Sequence, residues 1–105
     1  SPATAATVNT FMVGVVNNGT AKCCLALAGG TQAAAKTGTA QLNATGETQR
    51  SHAWITAFAP AEAPRVAVAV MLKGVNDQIS AGTGGTLAGP VAKVLLDQAL
   101  KVVPQ

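Results

Sequence analysis

Apolar and polar positions follow three rhythms along the chain, and each rhythm predicts an element. Val8, Phe11, Met12, Val15 and Val16 recur at the spacing of a helix face. Ser1 precedes them as a candidate N-cap, and Pro2 takes the first helical position, where its missing N–H leaves no bond unmade. Asn17-Asn18-Gly19 closes the segment, with Gly19 expected in the left-handed conformation that follows a last turn. The prediction is a helix of about four turns with one apolar face.

Two later stretches switch to a period of two. His52 to Pro60 and Arg65 to Lys73 read as strands, the second with Val66, Val68, Val70 and Leu72 along one face. Each is apolar on its other face too: Ala53, Ile55 and Ala57 in one, Ala67, Ala69 and Met71 in the other. Two apolar faces require cover on both sides, and an alanine face suits close packing by a helix. Thr31 to Leu42 is a further candidate strand; its alanines favour helix, but Gly38 and the threonines turn the reading toward strand. Lys22 to Gly30 is expected to be extended or irregular, Asn43 to Arg50 a polar loop, Ala61 to Pro64 a short turn and Gly74 to Gly85 a glycine-rich loop. The helical rhythm returns from Thr86 or Pro90 to Val103, with Val91, Val94, Leu95 and Ala99 on one side and Pro104 as the stop.

Helix, strand, strand, strand, helix with short connections predicts an α+β fold. Its centre is an antiparallel β-meander of about three strands, covered by an N-terminal and a C-terminal helix. The 105 residues suffice for a single small domain. Hydrophobic residues make up 49% of them, yet only Phe11, Trp54 and Phe58 are aromatic, so the core is built of small side chains and its elements must approach closely.

The formal charge of +3 is scattered over Lys22, Lys36, Arg50, Arg65, Lys73, Lys93 and Lys101. Without a basic cluster interleaved with aromatic residues, nucleic acid is not an expected partner. No apolar run approaches the roughly 18 residues that suggest a membrane-spanning helix. The chain is either complete and soluble, or preceded by a targeting segment. Cys23 and Cys24 are adjacent, about 3.8 Å apart at Cα, where disulfides usually need about 4.4–6.8 Å. Free thiols are therefore expected, with a bond to another molecule as the alternative. No metal or other cofactor is expected: His52 is the single histidine and the cysteines have no second cluster. His52 reads as a partly buried strand residue, Trp54 as core, and Glu47, Glu62, Asp77 and Asp97 as isolated, solvated acids.

Chemistry concentrates at Lys36, the one cation within Ala33-Ala34-Ala35-Lys36-Thr37-Gly38-Thr39-Ala40. An edge strand often carries a lysine simply to deter edge-to-edge pairing. Here the neighbours add more. Gly38 lets another backbone approach, while Thr37 and Thr39 set two hydroxyls beside a positive charge. Together they suit a carboxylate, and an extended peptide could add along such an edge.

This run resembles the third signature motif of the serine penicillin-binding proteins and their β-lactamase relatives, Lys-Thr-Gly. The surroundings strengthen the likeness: Met12 to Ala21 before it, Thr39-Ala40-Gln41, His52-Ala53-Trp54, Phe58-Ala59-Pro60, Gly84-Gly85 and Ala88-Gly89-Pro90-Val91 after it. The order matches over nearly the whole chain and looks most like the monofunctional, class B D,D-transpeptidases. The resemblance implies that residues 1–105 are the C-terminal portion of a transpeptidase domain, part of a larger serine β-lactamase/transpeptidase-like fold. It implies that Lys36 lies beside the serine of the S-x-N motif and helps position protons and the substrate carboxylate. Thr37 and Thr39 would hold that carboxylate, Gly38 would keep the edge clear, and the Thr39 N–H would be an oxyanion-hole donor. Implied partners are a peptidoglycan stem peptide, β-lactam antibiotics and the N-terminal part of the same domain, at the outer face of the bacterial cytoplasmic membrane.

The nucleophile of that family is absent. Ser1, Ser51 and Ser80 are the only serines, none has a lysine three residues on, and S-x-N is missing as well. Covalent catalysis needs nucleophile and base together, so the chain alone is expected to be inactive. A small, non-enzymatic peptide-binding module with an open sheet edge is the alternative.

Overall fold

The computed structural model describes residues 1–41, 51–73 and 84–102, of which 39–41, 51, 84 and 85 are described through their backbone. The loops expected at Asn43–Arg50 and Gly74–Gly85 thus lie largely outside the described residues.

Helix α1 spans Pro2–Asn18. The Ser1 hydroxyl accepts the Thr4 N–H at 3.2 Å, the cap expected from sequence. The helix ends at Gly19, but not by left-handed geometry: its φ is −115°. Both Gly19 and Ala21 donate their N–H groups to the Val15 carbonyl, each at 3.1 Å. A Cβ on Gly19 would lie 3.0 Å from Val15 Cα, so the position needs space rather than handedness. The left-handed glycines are Gly29 and Gly30, with φ of 73° and 74°. They close a single 3₁₀ turn, Ala28–Gly30, where only glycine adopts that conformation without cost.

Strands β1 (Ala34–Gln41), β2 (Ser51–Ala59) and β3 (Val66–Leu72) form one antiparallel sheet in the order β1-β2-β3, the expected meander. β1 starts later than the predicted Thr31. The chain before it is engaged instead with the β2–β3 turn, through Ala61 N–H to the Gln32 carbonyl at 2.9 Å.

Register decides which apolar faces coincide. Ala53, Ile55 and Ala57 lie opposite Leu72, Val70 and Val68. The alanine face of β2 therefore joins the valine face of β3. Against it pack Leu25, Leu27, Ala88, Ala92 and Leu96, with Val16 from the end of α1, to form the core. The opposite face carries Trp54, Thr56, Ala67, Ala69 and Met71, and all five are exposed. The double-sided cover expected from the strand pattern is only partial among the described residues, since on this same face Ala34 is fully buried and Phe58 half-buried. Trp54, expected in the core, is 40% exposed on this open face.

Helix α2 covers Gly89–Val102 after one π-helical turn, Gly84–Ala88. Its expected contact stripe is not the buried one. Ala92 and Leu96 are buried, whereas Val91, Val94 and Leu95 are exposed, Val94 at 60%. The small Ala92 and Gly89 let the helix sit close, and Leu96 fills the space between them and the sheet. α1 behaves similarly: Val16 is buried, but Phe11 is 68% exposed. Cys23 and Cys24 are joined in a disulfide, contrary to the expected free thiols. Their Cα atoms keep the 3.7 Å spacing of a peptide unit. Reach between the two sulfurs within the turn, rather than Cα spacing, decides the pairing.

Candidate active site

Among the described residues, the order of the sheet gives β1 one neighbouring strand, so one row of its backbone groups is unpaired by that sheet. Lys36, Thr37 and Gly38 occupy the middle of this edge strand. Lys36 lies opposite Thr56 and Gly38 opposite Trp54, which puts both on the open face. Thr37 lies opposite Ile55, on the other face, and the backbone of Thr39 pairs with that of Ala53. The cation and the Thr37 hydroxyl therefore flank one edge from opposite sides of the sheet.

The exposed Lys36 ammonium donates to the Thr37 carbonyl at 2.7 Å. That contact is to a carbonyl and not to a carboxylate, so it leaves the positive charge uncompensated. Backbone groups of alternate residues face the same side of a strand. The Thr37 carbonyl and the Thr39 N–H accordingly point to the same side. Only the backbone of Thr39 belongs to the described structure. Packing does not require a glycine at 38: an added Cβ would meet only Trp54 Cβ, at an ordinary 3.7 Å. What Gly38 leaves unfilled is the surface beside Lys36 and Trp54.

One residue joins this strand without having been singled out for it in the sequence. The Thr20 hydroxyl oxygen lies 2.8 Å from that of Thr37. Thr20 stands in the turn that ends α1, between Gly19 and the fully buried Ala21. In sequence it figured only within the Met12 to Ala21 stretch that carries part of the family likeness, since nothing local ties it to a strand seventeen residues on.

His52 is half-buried at the start of β2, where it lies opposite Ala40 of β1, one position beyond the pairing of Thr39 with Ala53. Glu62 is exposed in the β2–β3 turn, away from this strand. Asp97, expected to be a solvated acid, is instead engaged on both oxygens. It accepts the Ala28 N–H at 3.0 Å and the Lys93 ammonium at 2.8 Å. The Lys93 hydrogen bond, then the Ala28 N–H, lower its pKa below the ordinary carboxylate value. It clamps α2 to the 3₁₀ turn and has no part in the edge-strand cluster.

Residues 1–97 match the family model described as the penicillin binding protein transpeptidase domain. The chain belongs to this transpeptidase-domain family. It is 41% identical to peptidoglycan D,D-transpeptidase PbpA of Mycobacterium tuberculosis over 104 residues, covering 99% of this chain and 20% of PbpA. The chain thus spans about a fifth of the length of the curated relatives it matches. Among solved structures it is similar to penicillin-binding protein A of M. tuberculosis in a ceftriaxone acyl-enzyme complex, with a TM-score of 0.79 at 39% identity. That match covers 95% of this chain and 22% of the other. The transpeptidase domain of Legionella pneumophila FtsI4 is similar at a TM-score of 0.71 and 30% identity, covering 88% of this chain and 33% of that one. The α+β meander expected from the hydrophobic pattern is the transpeptidase-domain arrangement seen in these neighbours.

Proposed function

We propose that this chain is the Lys-Thr-Gly segment of a peptidoglycan D,D-transpeptidase that binds penicillin, working with a nucleophilic serine held outside these 105 residues. The observation that carries the reading is Lys36-Thr37-Gly38 on an open sheet edge, in a chain of the transpeptidase-domain family. In this role the Lys36 ammonium positions protons and attracts the terminal carboxylate of a stem peptide or the carboxylate of a β-lactam. Thr37 and Thr39 donate hydroxyl protons to that carboxylate. The Thr39 N–H stabilises the negative oxygen that develops as the serine attacks, a contribution of about 2.7–4 kcal/mol for such a donor. The rest of the domain supplies the S-x-x-K and S-x-N groups. The site of action is the outer face of the bacterial cytoplasmic membrane, where peptidoglycan is cross-linked.

The test uses an intact transpeptidase domain carrying this segment. Lys36→Ala is expected to lower the rate of acylation by a labelled penicillin by orders of magnitude while leaving the unfolding midpoint unchanged, because Lys36 is exposed. Acylation at a near-normal rate would overturn the assignment.

A further inference from the structure

The contact between Thr20 and Thr37 has a direction that a bound anion would set. A hydroxyl carries one proton and two lone pairs. Across the 2.8 Å separation, one threonine must donate and the other accept. If Thr37 donates to Thr20, its proton is spent and it turns a lone pair toward the open edge, where a carboxylate would be repelled. If Thr20 donates to Thr37, the Thr37 proton is free for an incoming carboxylate. A carboxylate accepts and never donates, so it selects the second arrangement. The two bonds then run in one direction, from Thr20 to Thr37 to the anion, and each polarises the other.

The backbone suits Thr20 to this task. Its neighbours Gly19 and Ala21 both bond the Val15 carbonyl at 3.1 Å, and Lys22 N–H bonds the Gly19 carbonyl at 3.1 Å. Ala21 is fully buried. Thr20 therefore sits between two anchored residues and presents its hydroxyl to β1 from a fixed turn, with little freedom left to lose on ligand binding.

We infer that Thr20 is a positioning residue, which orients the Thr37 hydroxyl so that its proton faces the carboxylate of the substrate or antibiotic. The inference rests on the proposed role of the Lys-Thr-Gly strand and adds to it a specific donor from the turn after α1. Thr20 acts through Thr37 and touches neither the substrate nor the reacting atoms.

The experiment compares acylation of the intact domain by benzylpenicillin and by its methyl ester, which lacks the anionic carboxylate. Thr20→Val removes the hydroxyl at nearly constant shape, and Thr20→Ser restores it. With benzylpenicillin, Thr20→Val is expected to slow acylation by about three- to tenfold, the size of one hydrogen bond. Thr20→Ser should stay near the parent rate, and Thr20→Val should leave the much slower methyl ester reaction unchanged. On a Thr37→Val background, Thr20→Val should add nothing, because its hydroxyl then has nothing to orient. An unchanged benzylpenicillin rate in Thr20→Val, while Thr37→Val is impaired, overturns the inference and leaves the strand's role standing. Equal losses with both compounds, or failure of the serine to rescue, also overturn it by showing a purely structural role. If Thr37→Val and Lys36→Ala both acylate normally, the underlying site assignment fails instead.

Discussion

At the scale of single residues, the fold treats its charged side chains in two ways. Lys36 is left exposed with its charge uncompensated by the carbonyl it touches. Asp97 is held by a cation and an amide proton at once. The lowered pKa of Asp97 means that the unfolded chain binds its proton more tightly than the folded one. Its stabilisation is thus complete above the ordinary carboxylate range, about pH 4, and is lost as pH falls through the lower folded value. Asp97→Asn should flatten this acid-side decline and cost about 1 kcal/mol at neutral pH. Urea unfolding of an intact domain at several pH values between neutrality and strong acid measures both. The sequence carried the identity of Asp97 but not its partners. Lys93 is visible four residues before it, whereas Ala28 is 69 residues away.

At the scale of elements, close approach is the recurring device. A Cβ added to Gly89 would lie 2.8 Å from Cys24 Cβ, a distance that forces movement of α2 or of the turn at Cys23-Cys24. Gly89→Ala is therefore expected to destabilise by about 1–3 kcal/mol, the usual cost of overpacking, as read from the shift of the denaturation midpoint at constant m-value. Leu96 is fully buried where α2 meets the sheet, and Leu96→Ala should cost about 2–5 kcal/mol in the same assay. Helices and strands were legible because periodicity is local: α1 and β3 lie within the predicted segments, and β2 is offset from its own by one residue at each end. The buried side of α2 was not. Val91, Val94 and Leu95 form the more hydrophobic stripe, yet Ala92 and Leu96 face the core. Ala92, and Gly89 beside it, let the helix settle closely while Leu96 reaches into the core, and which side can do both is a property of the assembled sheet.

At the scale of the whole molecule, much apolar surface remains open. Phe11 on α1, Trp54 and Met71 on the sheet, and Val94 and Leu95 on α2 are all exposed. β3, like β1, has a single neighbour in the described sheet. Exposed edges and apolar faces of this kind favour association. Residues 1–105 produced alone are expected to self-associate in analytical ultracentrifugation, whereas a monomer with cooperative unfolding would show that this surface needs no cover. The same preparation is expected to form no covalent adduct with penicillin by mass spectrometry, since none of its serines stands in an S-x-x-K motif. An acylated species would overturn that expectation.

The sequence by itself determined the order of helix and strands, the serine cap of α1, the edge-strand motif at Lys36 and the lack of a nucleophile. All of these depend on residue type and on spacing over a few positions. Only the tertiary structure decided that the alanines of β2 share a face with the valines of β3, that Trp54 lies on the open face and that Asp97 clamps a distant turn. It alone brought Thr20 against Thr37. These outcomes depend on strand register and on how closely a helix settles on the sheet. A shift of one residue in register would exchange the faces of a strand without altering any pattern along the chain.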